Sequence, residues 1–185
     1  MYIFSQNHVT RAKLTRSEYA NISADFKGKI NGKPSILHSG SQIILADILT
    51  QKNALEQITK LHSAGFVSSL QYGAIKTLLK GDEKAFFIES VDRIYSIIEV
   101  MPKTYEQEGK EDQAIAYLHY FTSNGDFYIT EKDIDDGVTQ AFGLASIGAS
   151  YPELGYISIS DLVKNGAEID LHFEPKTLSK IKASF

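Results

Sequence analysis

The sequence predicts an α+β protein. Apolar residues recur at helical spacing only between positions 51 and 101, whereas the flanks carry hairpin signals at Asn31-Gly32 and Ser123-Asn124-Gly125. Near the C-terminus, Glu168 to Glu174 alternates polar and apolar with the period of a strand. The chain thus divides into a small β unit at 1–50, a helical segment at 51–101 and a C-terminal α+β module at 102–185. That module is expected to hold a mixed or antiparallel sheet with one short helix.

In the first fifty residues, Thr15 to Glu18 with Tyr19 and Ile22 suits a helical turn or two. Asn31-Gly32 supplies the positive φ values of a two-residue hairpin, and Pro34 assigns its strand to a sheet edge. Ser41 to Ile48 is apolar enough for a partly buried strand. The helical segment reads as three helices. Leu55, Ile58 and Leu61 form the first stripe, which Gly65 stops. Ser68 or Ser69 caps a second helix carrying Leu70, Ala74, Ile75, Leu78 and Leu79, and Gly81 ends it. Asp82 is placed to cap a third, with Phe87, Val91, Ile94 and Ile98 on one face before Pro102.

The C-terminal module opens with a strand over Ala114–Phe121, a Ser123–Gly125 turn and a return strand over Asp126–Thr130. The acidic loop Asp133–Gly137 leads to a third strand at Gln140–Ile147. Pro152 bars a central-strand position, Gly155 suits a tight turn, and Tyr156-Ile157 a short strand. Ser158 and Asp161 make a weak capping box for a helix bearing Ile159, Leu162 and Val163, which Asn165-Gly166 ends. In the last strand Ile169, Leu171 and Phe173 share the buried face, opposite Asp170, His172 and Glu174.

Composition excludes several chemistries. The absence of cysteine among 185 residues rules out disulfides, thiolate metal sites and a cysteine nucleophile. No apolar run approaches the roughly 20 residues that span a bilayer, and the N-terminus lacks a signal-peptide pattern, so a cytoplasmic protein without membrane contact is expected. The net charge of −4 is uneven: residues 1–100 hold twelve Lys and Arg against nine Asp and Glu, residues 101–185 seven against fourteen. Neither half has a nucleic-acid binder's basic footprint or a DNA mimic's dense acid.

Candidate motifs are sparse. Ser39 beside His38 is a polar turn, since a catalytic triad is assembled in space and not by adjacency. Gly143 to Gly148 lacks the Lys-Ser/Thr of a phosphate-binding loop. Glu131, Asp133, Asp135 and Asp136 resemble half a calcium loop, without its glycine and bidentate glutamate. His119, Asp170, His172 and Glu174 are the weak candidates for an N/O metal site. No cofactor and no catalytic residue is expected.

Two resemblances follow from quoted segments. Residues 54–80, with Leu55-Glu-Gln-Ile58, Leu61-His-Ser-Ala-Gly65 and Tyr72 ahead of Lys76, resemble the SHOCT-type helical hairpin, which implies an interaction or oligomerisation element. Residues 98–181 carry Pro102-Lys-Thr-Tyr105, His119-Tyr-Phe-Thr122, Phe142-Gly-Leu144, Glu153-Leu-Gly-Tyr156 and Asp170-Leu-His-Phe173 before Pro175. They resemble a family of unknown function carried by bacterial plasmids, integrative elements and phages. The Phe127–Thr130 hairpin and Ile157 are less aromatic than that family's pattern.

The resemblance implies a non-enzymatic accessory protein of a mobile element or phage that acts by binding a protein. A counter-defence inhibitor of the anti-CRISPR or antirestriction type, directed at a nucleic-acid-handling defence complex, is the form expected. The binding surface is assigned to Tyr128, Tyr151 and Tyr156 with the acids Asp126, Glu131, Asp133, Asp135 and Asp136, an aromatic centre with an acidic rim suited to a basic partner. The alternatives are a nucleic-acid-binding regulator using Arg11, Lys13, Arg16, Lys27, Lys29 and Lys33, and a metal-dependent hydrolase using the His172 strand. Association is expected to be monomeric or weakly homo-oligomeric through the helical hairpin.

Overall fold

The computed structural model describes residues 49–148 and 151–185 in full, and the backbone of five strands between positions 3 and 48. These are β1 (Ile3–Gln6), β2 (Val9–Leu14), β3 (Phe26–Ile30), β4 (Lys33–His38) and β5 (Gln42–Ile48). They form one sheet in the order β1-β2-β5-β4-β3, antiparallel except for the β2–β5 pair. Ile30 lies opposite Lys33, as a hairpin closing at Asn31-Gly32 requires. The edge assignment for β4 is corrected, because β5 pairs with its other side. Pro34 is tolerated because pairing with β5 begins only at Ser35, beyond the residue that lacks an N–H. The turn at 15–22 and the Ser39–Ser41 segment fall outside the described residues, as do the side chains of Arg11, Lys13, Arg16, Lys27, Lys29 and Lys33.

Three helices follow: α1 (Gln51–Ser63), α2 (Ser69–Leu78) and α3 (Lys84–Val100). α1 ends where Gly65 takes φ +83°, letting its N–H reach His62 O and the Phe66 N–H reach Leu61 O at 3.0 Å. Ser68 caps α2 by accepting the Gln71 N–H. Asp82 does not cap α3; the cap position is Glu83, which makes no side-chain capping bond. The expected α2 stripe holds at Ile75 and Leu79, with Gln71 buried in place of Leu70. Gln71, Ile75 and Leu79 are buried, whereas Leu70 is 79% exposed and Leu78 is partly exposed. In α1 the buried face is Ala54, Ile58 and Leu61, with Leu55 outside it.

The second sheet holds β7 (Leu118–Thr122), β8 (Gly125–Glu131), β9 (Ala141–Ile147), β10 (Glu153–Ile157) and β11 (Glu168–Ile169) in the order β10-β9-β8-β7-β11, antiparallel throughout. The expected strand at Ala114–Phe121 is broken at Tyr117. Its first part, β6 (Ile115–Ala116), leaves the sheet to pair with β12 (Lys176–Thr177). Gly155 forms no turn; it sits within β10 opposite Gly143. α4 (Ile159–Lys164) has the expected Ser158 cap, and Gly166, not Asn165, takes the positive φ that ends it. A second short helix, α5 (Leu178–Lys182), was not anticipated.

The sheet is covered on both faces. On one, Leu118, Tyr120, Ile129 and Ile169 pack with Ile58, Ile75, Val91 and Ile94 of the helices. On the other, Leu144, Ala116 and Phe173 pack with Leu178 and Ile181 of α5. Ile169 and Phe173 therefore serve different cores, because the strand ends at Ile169. Asp170 then accepts the His172 N–H at 2.8 Å and turns the chain.

Two polar contacts lock the helical hairpin to the sheet. The Gln71 carboxamide donates to Ile169 O at 2.8 Å and accepts from Ile169 N at 3.1 Å, acting as a strand partner for β11. The Tyr120 hydroxyl donates to Phe66 O at 2.9 Å, and full burial pushes its phenol far above the ordinary range.

Candidate functional site

The segment 102–114, between α3 and β6, has no regular structure beyond a 3-10 turn at Glu111–Gln113, yet side chains fix it firmly. The Thr104 hydroxyl lies against Lys132 O at 3.0 Å and Gln140 O at 2.9 Å, while the Thr104 N–H donates to Lys132 O at 2.8 Å. Gln107 uses its whole carboxamide. It donates to Ile115 O at 2.8 Å and Thr130 O at 2.9 Å, and accepts the Ile115 N–H at 2.9 Å. Its own backbone N–H donates to Oε1 of Glu131.

These anchors hold two residues in left-handed backbone, Tyr105 at φ +80° and Glu111 at φ +47°. Among the described residues they are the two non-glycine positions with positive φ. Such conformations are costly for L-residues and persist where the surroundings over-determine them, often at functional sites. Both line the same cleft of about 350 Å³.

The cleft lies between this segment and β8, β9 and β10. Tyr105, Tyr156, Phe142 and Leu154 form aromatic and apolar walls, and Glu108, Glu111 and Glu131 supply carboxylates. Among the described residues no Lys, Arg or His lines it. The Tyr105 and Tyr156 hydroxyls meet at 2.9 Å, and the Phe142 ring stands edge-on to Tyr156 at 5.6 Å. The hydrogen bond to Tyr105 holds the Tyr156 phenol above its ordinary pKa, with burial and the nearby glutamates acting in the same direction. The phenol is therefore neutral at physiological pH, and the carboxylates set the charge of the cleft. Glu131 is 4% exposed.

Of the residues expected to form a binding surface, the structure places Tyr156 and Glu131 in this cleft. Asp126 and Tyr128 lie elsewhere on the same sheet face, around His119. The His119 ring stacks on Tyr128 at 4.5 Å, with Nε2 2.9 Å from Asp126 and Nδ1 3.0 Å from Asp170. Tyr128 is not a loop residue. It lies within β8, packs on the second core, and burial raises its phenol pKa. Tyr151 stands 90% exposed.

The acids at 133–136 fold their own loop. Asp133 accepts from the Asp135 N–H at 3.0 Å, the Thr139 hydroxyl at 2.5 Å and the Gln140 N–H at 2.7 Å, while Asp136 accepts the Val138 N–H at 3.0 Å. Asp135 remains exposed. The Thr139 hydroxyl, followed by these N–H donors, holds the Asp133 carboxyl down at about 2. A depressed folded-state pKa contributes stability above the ordinary carboxyl range that is lost as pH falls from about 4 to about 2. Asp133→Asn is expected to lower the melting temperature at pH 7, with the difference from the unaltered protein shrinking across that window in a pH series of thermal melts.

The metal candidates do not converge. His119 and Asp170 meet, but His172 stacks on Phe86 at 5.0 Å and Glu174 pairs with Arg93, which also donates to Leu171 O. The shared strand face that would have aligned them is lost to the turn after Ile169. Among the described residues no group of three His, Asp or Glu is placed to hold a metal. No described helix is long and apolar enough to cross a membrane.

Residues 91–181 match the model of a family described as a protein of unknown function, DUF2958. The match contains every residue that lines the cleft and leaves out α1, α2 and the first sheet. No curated protein and no solved structure matches the chain.

Proposed function

We propose that the protein is a non-enzymatic protein-binding module whose working site is the cleft between the 104–111 segment and β10. Its setting is a mobile genetic element or phage, and its partner is a basic protein of a nucleic-acid-handling defence complex. The setting follows from the family resemblance, and the counter-defence role is the form of binding that such a setting favours. The mode of binding follows from the cleft. Aromatic walls provide large rigid area with few torsions to fix, and carboxylates without a local counter-cation complement a basic surface.

The carrying observation is that both strained residues, Tyr105 and Glu111, are spent on shaping one cleft. The two signature tyrosines of the resembling segments, Tyr105 of Pro-x-x-Tyr and Tyr156 of Glu-Leu-Gly-Tyr, also meet there.

The test is affinity co-purification from the native host. A basic partner should be recovered with the unaltered protein and lost with Glu108→Lys plus Glu111→Lys, both exposed positions. It should be kept with the exposed control Lys164→Glu. Recovery should also weaken as added salt shortens the screening length below about 8 Å. A partner retained by the double variant would move the binding site elsewhere.

A further inference from the structure

We infer that the cleft is a socket for an arginine side chain, presented by an extended segment of the partner that pairs with the free edge of β10. This rests on the reading of the cleft as a protein-binding site and names what enters it. Three features of the site select the chemistry.

The first is the buried carboxylate. Glu131 lies deep in the cleft at 4% exposure, and its Oε1 accepts the Gln107 N–H. Among the described residues the Gln107 N–H is the donor to this carboxylate, and no Lys, Arg or His lines the cleft to neutralise it. A carboxylate this buried with no cation beside it calls for a cationic hydrogen-bond donor. Glu108 and Glu111 at the exposed rim add negative charge, with no cation among the described residues lining the site.

The second is the aromatic wall. Tyr105, Tyr156 and Phe142 offer ring faces and edges beside the carboxylates. A guanidinium is planar, weakly hydrated, stacks on aromatic rings and bonds carboxylates through a fork of donors, whereas an ammonium is a compact, strongly hydrated charge.

The third is the strand edge. β10 ends its sheet, and no described strand pairs with its other side. In an edge strand part of the backbone N–H and C=O groups point away from the sheet, ready for an added strand. Leu154 and Tyr156 lie on one face of β10 and both line the cleft, so alternate side chains of an added strand face the same way.

The experiment uses the full chain and a blocked hexapeptide with one central arginine among serine and valine. Its twin carries citrulline, which keeps the shape and removes the charge. Spermidine serves as a non-peptide cation. Binding is followed by amide chemical shifts. The arginine peptide should perturb residues 104–111, 130–131 and 153–157, and slow amide exchange in β10. Citrulline should weaken binding at least tenfold, as should Glu131→Gln. Because Glu131 also holds the Gln107 N–H, Glu108→Gln plus Glu111→Gln provides a second variant at exposed positions, expected to weaken the arginine peptide several-fold.

Equal binding of arginine and citrulline, shifts mapping away from the cleft, no shifts at millimolar peptide, or preference for spermidine over both peptides would each overturn the inference. A native partner lost from cleft variants would then still support the protein-binding site. A partner kept by those variants would remove both.

Discussion

Gly143→Ala leaves the C-terminal sheet unable to form as described. A Cβ at Gly143 would lie 2.2 Å from Tyr128 O and 3.0 Å from the Cα of Ile129, both backbone atoms of the neighbouring strand. The contact falls beside the register shift between Ile129 and Glu131, where β8 bulges toward β9. A flexible side chain could move aside, but a central-strand carbonyl moves only with its ladder. The expected loss is about 4 kcal/mol or more, in the range reserved for severe mechanisms, which removes most of the stability of a chain at the low end of the ordinary range. Gly155 is the control. It faces Gly143 across the same ladder, yet its added Cβ meets nothing within 4 Å. Gly155→Ala should change stability by less than about 1 kcal/mol in urea unfolding. Comparable losses at the two sites would contradict the described register.

Gln71→Leu should destabilise the protein although it makes the α2 stripe more regular. Gln71 is 8% exposed and serves both the N–H and the C=O of Ile169. Leucine fills similar volume but leaves that backbone donor and acceptor buried without partners. Each orphaned group costs about 1–3 kcal/mol, so the expected loss for the two is about 2–6 kcal/mol. Leu70→Gln one residue earlier, at a side chain 79% exposed, should cost under about 0.5 kcal/mol. Denaturant unfolding of the two variants checks the pair. A stable Gln71→Leu protein would mean that the hairpin is not anchored through β11.

These residues also show what the sequence could and could not reveal. The α+β class, the three helices, the hairpin turns and the Ser158 cap are set by local chemistry and were legible. Periodicity alone placed Leu70 inside and Gln71 outside, because a polar residue is read as solvent-facing. Its burial is decided by Ile169, ninety-eight positions away. Glu168–Glu174 buries Ile169 and Phe173 as its alternation suggested, but on different cores, because the Asp170 side chain bond to His172 N–H ends the strand. Of the residues expected at a binding surface, Tyr156 and Glu131 line the cleft. Tyr128 lies in the expected return strand, but its packing on the second core carried no sequence signal. The loop bonds of Asp133 and Asp136 were not legible, because their backbone partners are invisible to composition. Tyr105 was marked by its motif, but its left-handed backbone and that of Glu111 carried no local signal, because they arise from anchors at Glu131, Thr130 and Lys132.

The central claim, that partner binding occurs at the cleft, is tested most directly by photo-crosslinking in the native host. A photoreactive amino acid replaces Tyr105, which is exposed at the cleft mouth, or Leu70, which is exposed on the helical hairpin. The account predicts that one basic protein is captured from position 105, that the capture disappears when Glu108→Lys and Glu111→Lys are added, and that position 70 does not capture it. Capture of that protein from position 70 and not from position 105 would contradict the account and assign recognition to the hairpin.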